Sequence, residues 1–155
     1  MNSSISTPKN GKATTRKTTF SRETTVSTKI NADAAVVWAL LTQASDYTRW
    51  NSTIVSLEGE IREGEKIKLK STLDEKRTFK LKVKAFIPEQ RLVWGDGQGN
   101  RTYTITKQGK EGVTFTMTEK IGGLMFPLYA KLIPPFDESF EQFAADLKKE
   151  AETIT

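Results

Sequence analysis

From Phe20 to Ile121 the chain alternates apolar and polar residues with a period of two, and the polar partner is nearly always Thr or Lys. Phe20, Thr24, Val26, Thr28 and Ile30 share one parity in the first run. Six further runs follow, led by Val55/Leu57, Ile67/Leu69, Phe79/Leu81/Val83/Ala85, Leu92/Trp94, Tyr103/Ile105 and Val113/Phe115/Met117. The opposite parity carries Lys66, Lys68 and Lys70, then Lys80, Lys82 and Lys84, then Thr114, Thr116 and Thr118. Successive strand side chains face opposite sides, so this pattern dictates strands with one dry and one wet face. A sheet of that kind is antiparallel and covered on one side only. Turn signals separate the runs at Glu63-Gly64, Asp74-Glu75, Pro88-Glu89, Gly97-Gln98-Gly99 and Gly109 to Gly112.

Something must cover the dry face. Phe136, Phe140, Phe143 and Leu147 form a helical stripe near the C-terminus, with Glu138, Glu141, Lys148 and Glu152 on the far side. Asp33 stands where it can cap a helix holding Val36, Val37, Trp38, Leu40 and Leu41, and a second short helical piece runs from Ser45 to about Trp50. The order is therefore strand, two helices, six strands and one long helix. The expected class is α+β, with a seven-stranded curved antiparallel sheet (β-α-α-β6-α) wrapped around the long C-terminal helix. Residues 19–153 are expected to form this single domain. Residues 1–18, rich in Ser, Thr and Lys with little to bury, are expected to be a disordered basic tail.

The chain has no Cys and no His. Ser-His-Asp and Cys-His catalysis and the usual zinc sites are thereby excluded. Acid–base chemistry would fall to Asp, Glu, Lys or Tyr. No phosphate-binding glycine loop and no acidic metal cluster is present, so no cofactor and no metal is expected. No apolar run approaches the ~20 residues that span a bilayer, and the default location is cytoplasmic. The net charge of +5 favours anionic partners. The wet sheet face nonetheless interleaves its lysines with Thr rather than stacking aromatics, so nucleic acid is not the expected partner.

Three stretches resemble a known family. They are Ile30-Asn31-Ala32-Asp33 through Val37-Trp38-Ala39-Leu40-Leu41 with Tyr47-Thr48-Arg49-Trp50-Asn51; Pro88-Glu89-Gln90-Arg91-Leu92-Val93-Trp94-Gly95; and Gly112 to Lys120 followed by Gly122-Gly123-Leu124 and Pro127-Leu128. Together they are similar to the polyketide cyclase/dehydrase-like branch of the START-like (SRPBCC) superfamily over residues 19–153. The resemblance implies the helix-grip fold and an internal cavity for a hydrophobic molecule. Where members often carry a histidine before the aromatic of the sixth strand, this chain has Arg101 two positions before Tyr103.

Parity nominates the cavity wall. Leu81, Val83, Trp94, Tyr103, Ile105, Phe115 and Met117 face inward from the sheet; Phe136, Phe140 and Phe143 come from the long helix, Trp38 and Trp50 from the short ones, and Phe126 from the apolar segment 124–133. Such residues either fill a core or wall a pocket. Turn positions then set register. A loop centred on Lys110 pairs Arg101 with Glu119, Tyr103 with Met117 and Ile105 with Phe115. A tight Gln98-Gly99 turn places Asp96 beside Arg101 and Trp94 beside Tyr103. Asp96, Arg101 and Glu119 then form an inward polar row, which Arg22 could extend.

The leading functional expectation is a carrier or sensor that binds a small hydrophobic or amphipathic ligand in the cavity. The alternative is a cofactor-independent polyketide cyclase or dehydratase in which Arg101, Tyr103, Glu119 or Asp96 moves protons. A third reading makes segment 124–133 a lid or an interaction patch, with a homodimer as one outcome. A cavity below ~300 Å³ would favour the third, since ligand pockets are usually larger.

Overall fold

The computed structural model describes residues 9–154. Eight strands form one antiparallel sheet: β1 (Ala13–Lys17), β2 (Ser21–Ile30), β3 (Ile54–Glu58), β4 (Lys66–Ser71), β5 (Asp74–Ile87), β6 (Arg91–Gly95), β7 (Gly99–Lys107) and β8 (Val113–Gly122). Their spatial order is β1-β2-β8-β7-β6-β5-β4-β3. Between β2 and β3 lie α1 (Ala34–Thr42), a 3-10 turn (Ala44–Asp46) and α2 (Tyr47–Trp50). After β8 come the single turn α3 (Phe126–Tyr129), a 3-10 turn (Ala130–Leu132) and the long helix α4 (Asp137–Ile154).

The expected helix grip is present with one more strand than the sequence suggests. Residues 13–17, assigned to the tail on composition, pair with β2 from Ala13↔Val26 to Lys17↔Arg22. Two carboxylates near the start of α4 hold this edge strand. Glu141 accepts from the Ala13 N–H at 2.9 Å, and Asp137 accepts from the Thr15 hydroxyl at 2.7 Å. The part of the expected tail that covers residues 1–8 lies outside the described residues.

The opposite edge reaches the same helix. Asp146 accepts from both the N–H and the hydroxyl of Ser52, just before β3, and the Asn51 amide donates to the Phe143 carbonyl. A sheet whose two outer ends are both tied to one helix must curl around it. Register shifts between Ile54/Ser56, Leu69/Ser71 and Val83/Ala85 supply local bends. The first of them turns Val55, expected inward, out to solvent, while Ile54 and Leu57 are buried.

On α4 the buried stripe is Phe140, Phe143, Ala144, Leu147 and Ala151, close to the expected one. Asp33 does occupy the N-cap of α1, but its side chain makes no capping bond; its carbonyl accepts from Val36 and Val37 instead. Gly112 has φ +97 and a Cβ added there would run into the Ile30 carbonyl oxygen, so a side chain would be strained and would collide with the end of β2. On the wet face Lys66 stands opposite Lys82 and Lys68 opposite Lys80. Glu58 stands opposite Lys68 and sets one carboxylate beside these lysines.

Candidate functional site

The middle of the grip is solid. Trp94 and Tyr103 meet edge to face at 5.1 Å, and Tyr103 stacks on Phe143 at 5.7 Å and on Phe115 at 6.0 Å. Trp50 closes on Phe143 at 5.9 Å and on Tyr47 at 5.0 Å. Of the residues nominated as cavity wall, Trp50, Val83, Tyr103, Ile105, Phe115, Met117, Phe140 and Phe143 are therefore core. Trp38 lies aside, half-buried, with its ring edge-on to Phe86 at 5.0 Å. Phe126 is buried beneath α3 and faces a separate groove along β1.

Open space begins where this aromatic stack ends, at the end of the sheet nearest the start of α4. A cavity of about 160 Å³ lies there, among the tips of the β4–β5 and β6–β7 hairpins, the end of β8 and the linker before α4. Its apolar wall is Leu69, Phe79, Leu81, Trp94, Ile121 and Phe136, and its cover is Leu132, Ile133 and Pro134. Leu81, Trp94 and Phe136 are thus the nominated ligand residues that reach it. Leu69, Phe79 and Ile121 share the inward parity and were legible as wall residues; Leu132–Pro134 were not, because only tertiary packing brings that linker over the opening.

Arg101 and Glu119 form the polar end. They face each other across β7 and β8, in the expected register, with Arg101 Nε donating to Glu119 Oε1 at 2.7 Å. Their side chains are 11% and 20% exposed, so the pair is largely withdrawn from water. Burial works against the charge on Arg101, but the attraction of Glu119 and then of Tyr103 outweighs it, and its pKa lies above the ordinary arginine value. Its guanidinium also sits 5.0 Å from the Phe140 ring centre. Arg22 mirrors it: its guanidinium lies 4.6 Å from the Phe136 ring centre, and Phe136 stacks on Phe140 at 5.7 Å. Arg22 donates to the carbonyls of Ile133 (3.2 Å) and Pro134 (2.8 Å), and so ties the cavity's cover to β2. Burial lowers the Arg22 pKa, opposed by Glu119 and Asp137. Glu119 thus pairs directly with Arg101 and attracts Arg22 only at longer range.

The expected three-member row is corrected at Asp96. β6 and β7 pair as Trp94↔Arg101 and Leu92↔Tyr103, two residues away from the expected register. Asp96 has left the ladder: its Oδ1 accepts from the N–H groups of Gln98 (2.8 Å) and Gly99 (3.1 Å), so it builds the turn at the cavity rim. An Asx turn satisfies backbone donors locally, which lets the loop take residues that a tight hairpin would leave in strand. Arg22 does not extend the row directly either, since Thr24 stands opposite Glu119 and Arg22 opposite Ile121. Tyr103 is one layer deeper. Its hydroxyl lies beside Arg101 and Tyr47 but makes no hydrogen bond in good geometry. Burial pushes its pKa up to about 12, against the pull of Arg101. Among the described residues no cluster of three Asp or Glu could hold a metal ion.

Fold and site together define a START-like helix-grip protein with a small, half-polar pocket at one end of the grip. Residues 21–152 match the family described as polyketide cyclase / dehydrase and lipid transport, and the chain belongs to that family. The fold is shared with a conserved protein of unknown function from Enterococcus faecalis (TM-score 0.67, 13% identity, covering 92% of this chain and 78% of that one). It is likewise shared with a protein from Nitrosomonas europaea (TM-score 0.67, 11% identity, covering 92% and 100%) and with a START superfamily protein from Mycobacterium smegmatis (TM-score 0.64, 15% identity, covering 86% and 99%). No curated protein matches the sequence significantly.

Proposed function

We propose that the chain binds a small amphipathic molecule in the terminal cavity, with an acceptor oxygen on Arg101 and an apolar body against Leu81, Trp94 and Phe136. One observation carries this reading. Arg101 lines the cavity and gives its Nε–H to Glu119, with the Tyr103 hydroxyl beside its guanidinium. A largely buried guanidinium carries several N–H donors and is well suited to a carboxylate, phenolate or carbonyl oxygen, to which it can bond in a fork. The second buried cation, Arg22, favours an anionic group further.

Size narrows the ligand. The cavity, at about 160 Å³, is below the ~300–1,000 Å³ of most ligand pockets. It is close to a ~150 Å³ apolar cavity that accepts benzene. One aromatic ring or a short chain fits; a fused polyketide or a whole lipid would require the Leu132–Pro134 cover to move. The cyclase alternative has less support. Arg101 stays cationic and Tyr103 stays protonated at neutral pH, so both offer fixed electrostatics rather than a proton shuttle.

Native mass spectrometry of the protein from its own cells, with extraction of bound molecules, tests the reading. Benzoate titration followed by tryptophan fluorescence is the defined companion assay. Binding to the unaltered chain and loss in Arg101→Met is the expected outcome. Equal affinity in the two proteins refutes it. The small cavity also favours the reading of segment 124–133 as a docking surface, which the exposure of that segment supports on separate grounds.

A further inference from the structure

The segment between β8 and α4 is apolar on both of its faces, and one face is unused. Phe126 is buried, and Tyr129, Ala130 and Ile133 pack against the core, so the inner face accounts for these four. Leu124 in the turn before α3, Leu128 within it and Leu132 at the end of the 3-10 turn are instead left largely exposed. They are 86%, 76% and 83% exposed, and Met125 beside them is 61% exposed. This stretch is not a buried first part of the long helix. That helix starts only at Asp137; Leu124 and Leu128 stay exposed, and Leu132 meets the domain only as part of the cavity's cover. Phe20, also exposed, joins them, because its carbonyl accepts from the Gly123 N–H at 3.0 Å.

Charge identifies what this surface suits. No Asp or Glu occurs between Glu119 and Asp137, while Lys120 and Lys131 do. Lys17 and Lys131 line one groove beside α3 with Thr18, Thr19 and Phe126. The groove's carboxylate, Asp137, accepts from Thr15 at its floor, and Glu23 is engaged by Arg16 at 3.7 Å. Two copies of such a face would set like charges against each other. Exposed leucines rimmed by lysines match the interface of an anionic bilayer, where apolar side chains enter the headgroup boundary and lysines meet phosphate and carboxylate. We infer that the chain docks peripherally on anionic membranes through Leu124, Met125, Leu128 and Leu132, with Lys17 and Lys131 at the rim. This does not depend on the cavity reading, although Leu132 belongs to the cavity's cover and docking would bring that cover to the lipid.

Co-sedimentation of the full chain with phosphatidylcholine vesicles, with and without phosphatidylserine at roughly three to one, tests the inference. Binding to the serine-containing vesicles, weakened by salt, is expected. Leu124→Ser/Leu128→Ser should reduce it roughly tenfold or more with an unchanged melting curve. Lys17→Glu/Lys131→Glu should abolish the preference for phosphatidylserine while leaving the leucines in place. Absence of binding by the unaltered chain, or equal binding by the serine variant, overturns the inference. A concentration-dependent dimer in light scattering that the serine variant abolishes also overturns it, because a second copy would then cover the patch.

Discussion

The Arg101–Glu119 pair makes a quantitative demand on stability that can be checked without knowing any ligand. Replacing Arg101 by Met keeps most of the side-chain volume and removes the donor at 2.7 Å from Glu119. A hydrogen bond between charged groups contributes roughly 1.5–3 kcal/mol, and stranding one member of a fully buried pair costs about 3–5 kcal/mol. Glu119 retains 20% exposure, so water relieves part of that cost and about 2–3 kcal/mol is expected. For a chain of this size that is a fall in Tm of roughly 5–10 °C. Glu119→Leu alone should also destabilise, since it strands a guanidinium that is more deeply buried than the carboxylate. The double variant Arg101→Met/Glu119→Leu should recover much of the loss, because an apolar pair of similar size leaves no buried charge alone. Urea denaturation of the four proteins gives the coupling energy. A value near 2 kcal/mol is expected; one below about 0.5 kcal/mol would show a pair screened like a surface one and remove the polar end from the site.

Other consequences are simpler. Arg22→Met should leave the Ile133 and Pro134 carbonyls without their donors; hydrogen exchange and proteolysis at 132–136 should rise well before the sheet loosens. Tyr103→Phe should change stability by less than about 1 kcal/mol, because the hydroxyl is buried without a hydrogen bond; a loss above about 2 kcal/mol would reveal a bond that the geometry denies. Glu152 accepts from Lys148 and from the Asn31 N–H, which together lower its pKa. Its folded pKa is below its unfolded one, so its contribution is full above the ordinary carboxylate value of about 4 and is lost as pH falls through the folded value. Glu152→Gln should flatten that part of the acid limb in a pH series of melting temperatures. Gly112→Ala should destabilise by more than about 1 kcal/mol through its positive φ and the Ile30 carbonyl.

Parity was legible because it is local. Every inward residue of β7 and β8 follows from period two, and the loop centred on Lys110 is regular enough to pair Arg101 with Glu119 correctly. The β6–β7 turn was misread because register there depends on a side chain. Asp96 binds two N–H groups of its own loop, and that choice moves Trp94 opposite Arg101. Composition likewise misplaced residues 13–17. Their anchors are Asp137 and Glu141 on a helix more than a hundred residues away, and nothing in a Ser/Thr/Lys stretch announces such partners.

By itself, the sequence determined that a one-sided antiparallel sheet must close on a C-terminal aromatic stripe, and that no thiol or imidazole is available for chemistry. It could not determine how much of that closure would be empty. Whether rings fill a space or line it depends on their mutual angles and on how far the sheet curls, which are set by long-range latches such as Asp146 to Ser52. Tertiary structure therefore moved the cavity from the centre of the grip to its end, reduced it to about 160 Å³, and left Leu124, Leu128 and Leu132 facing outward. The physical reason is the same in each case: periodicity fixes the side a residue faces, and packing decides what it meets there.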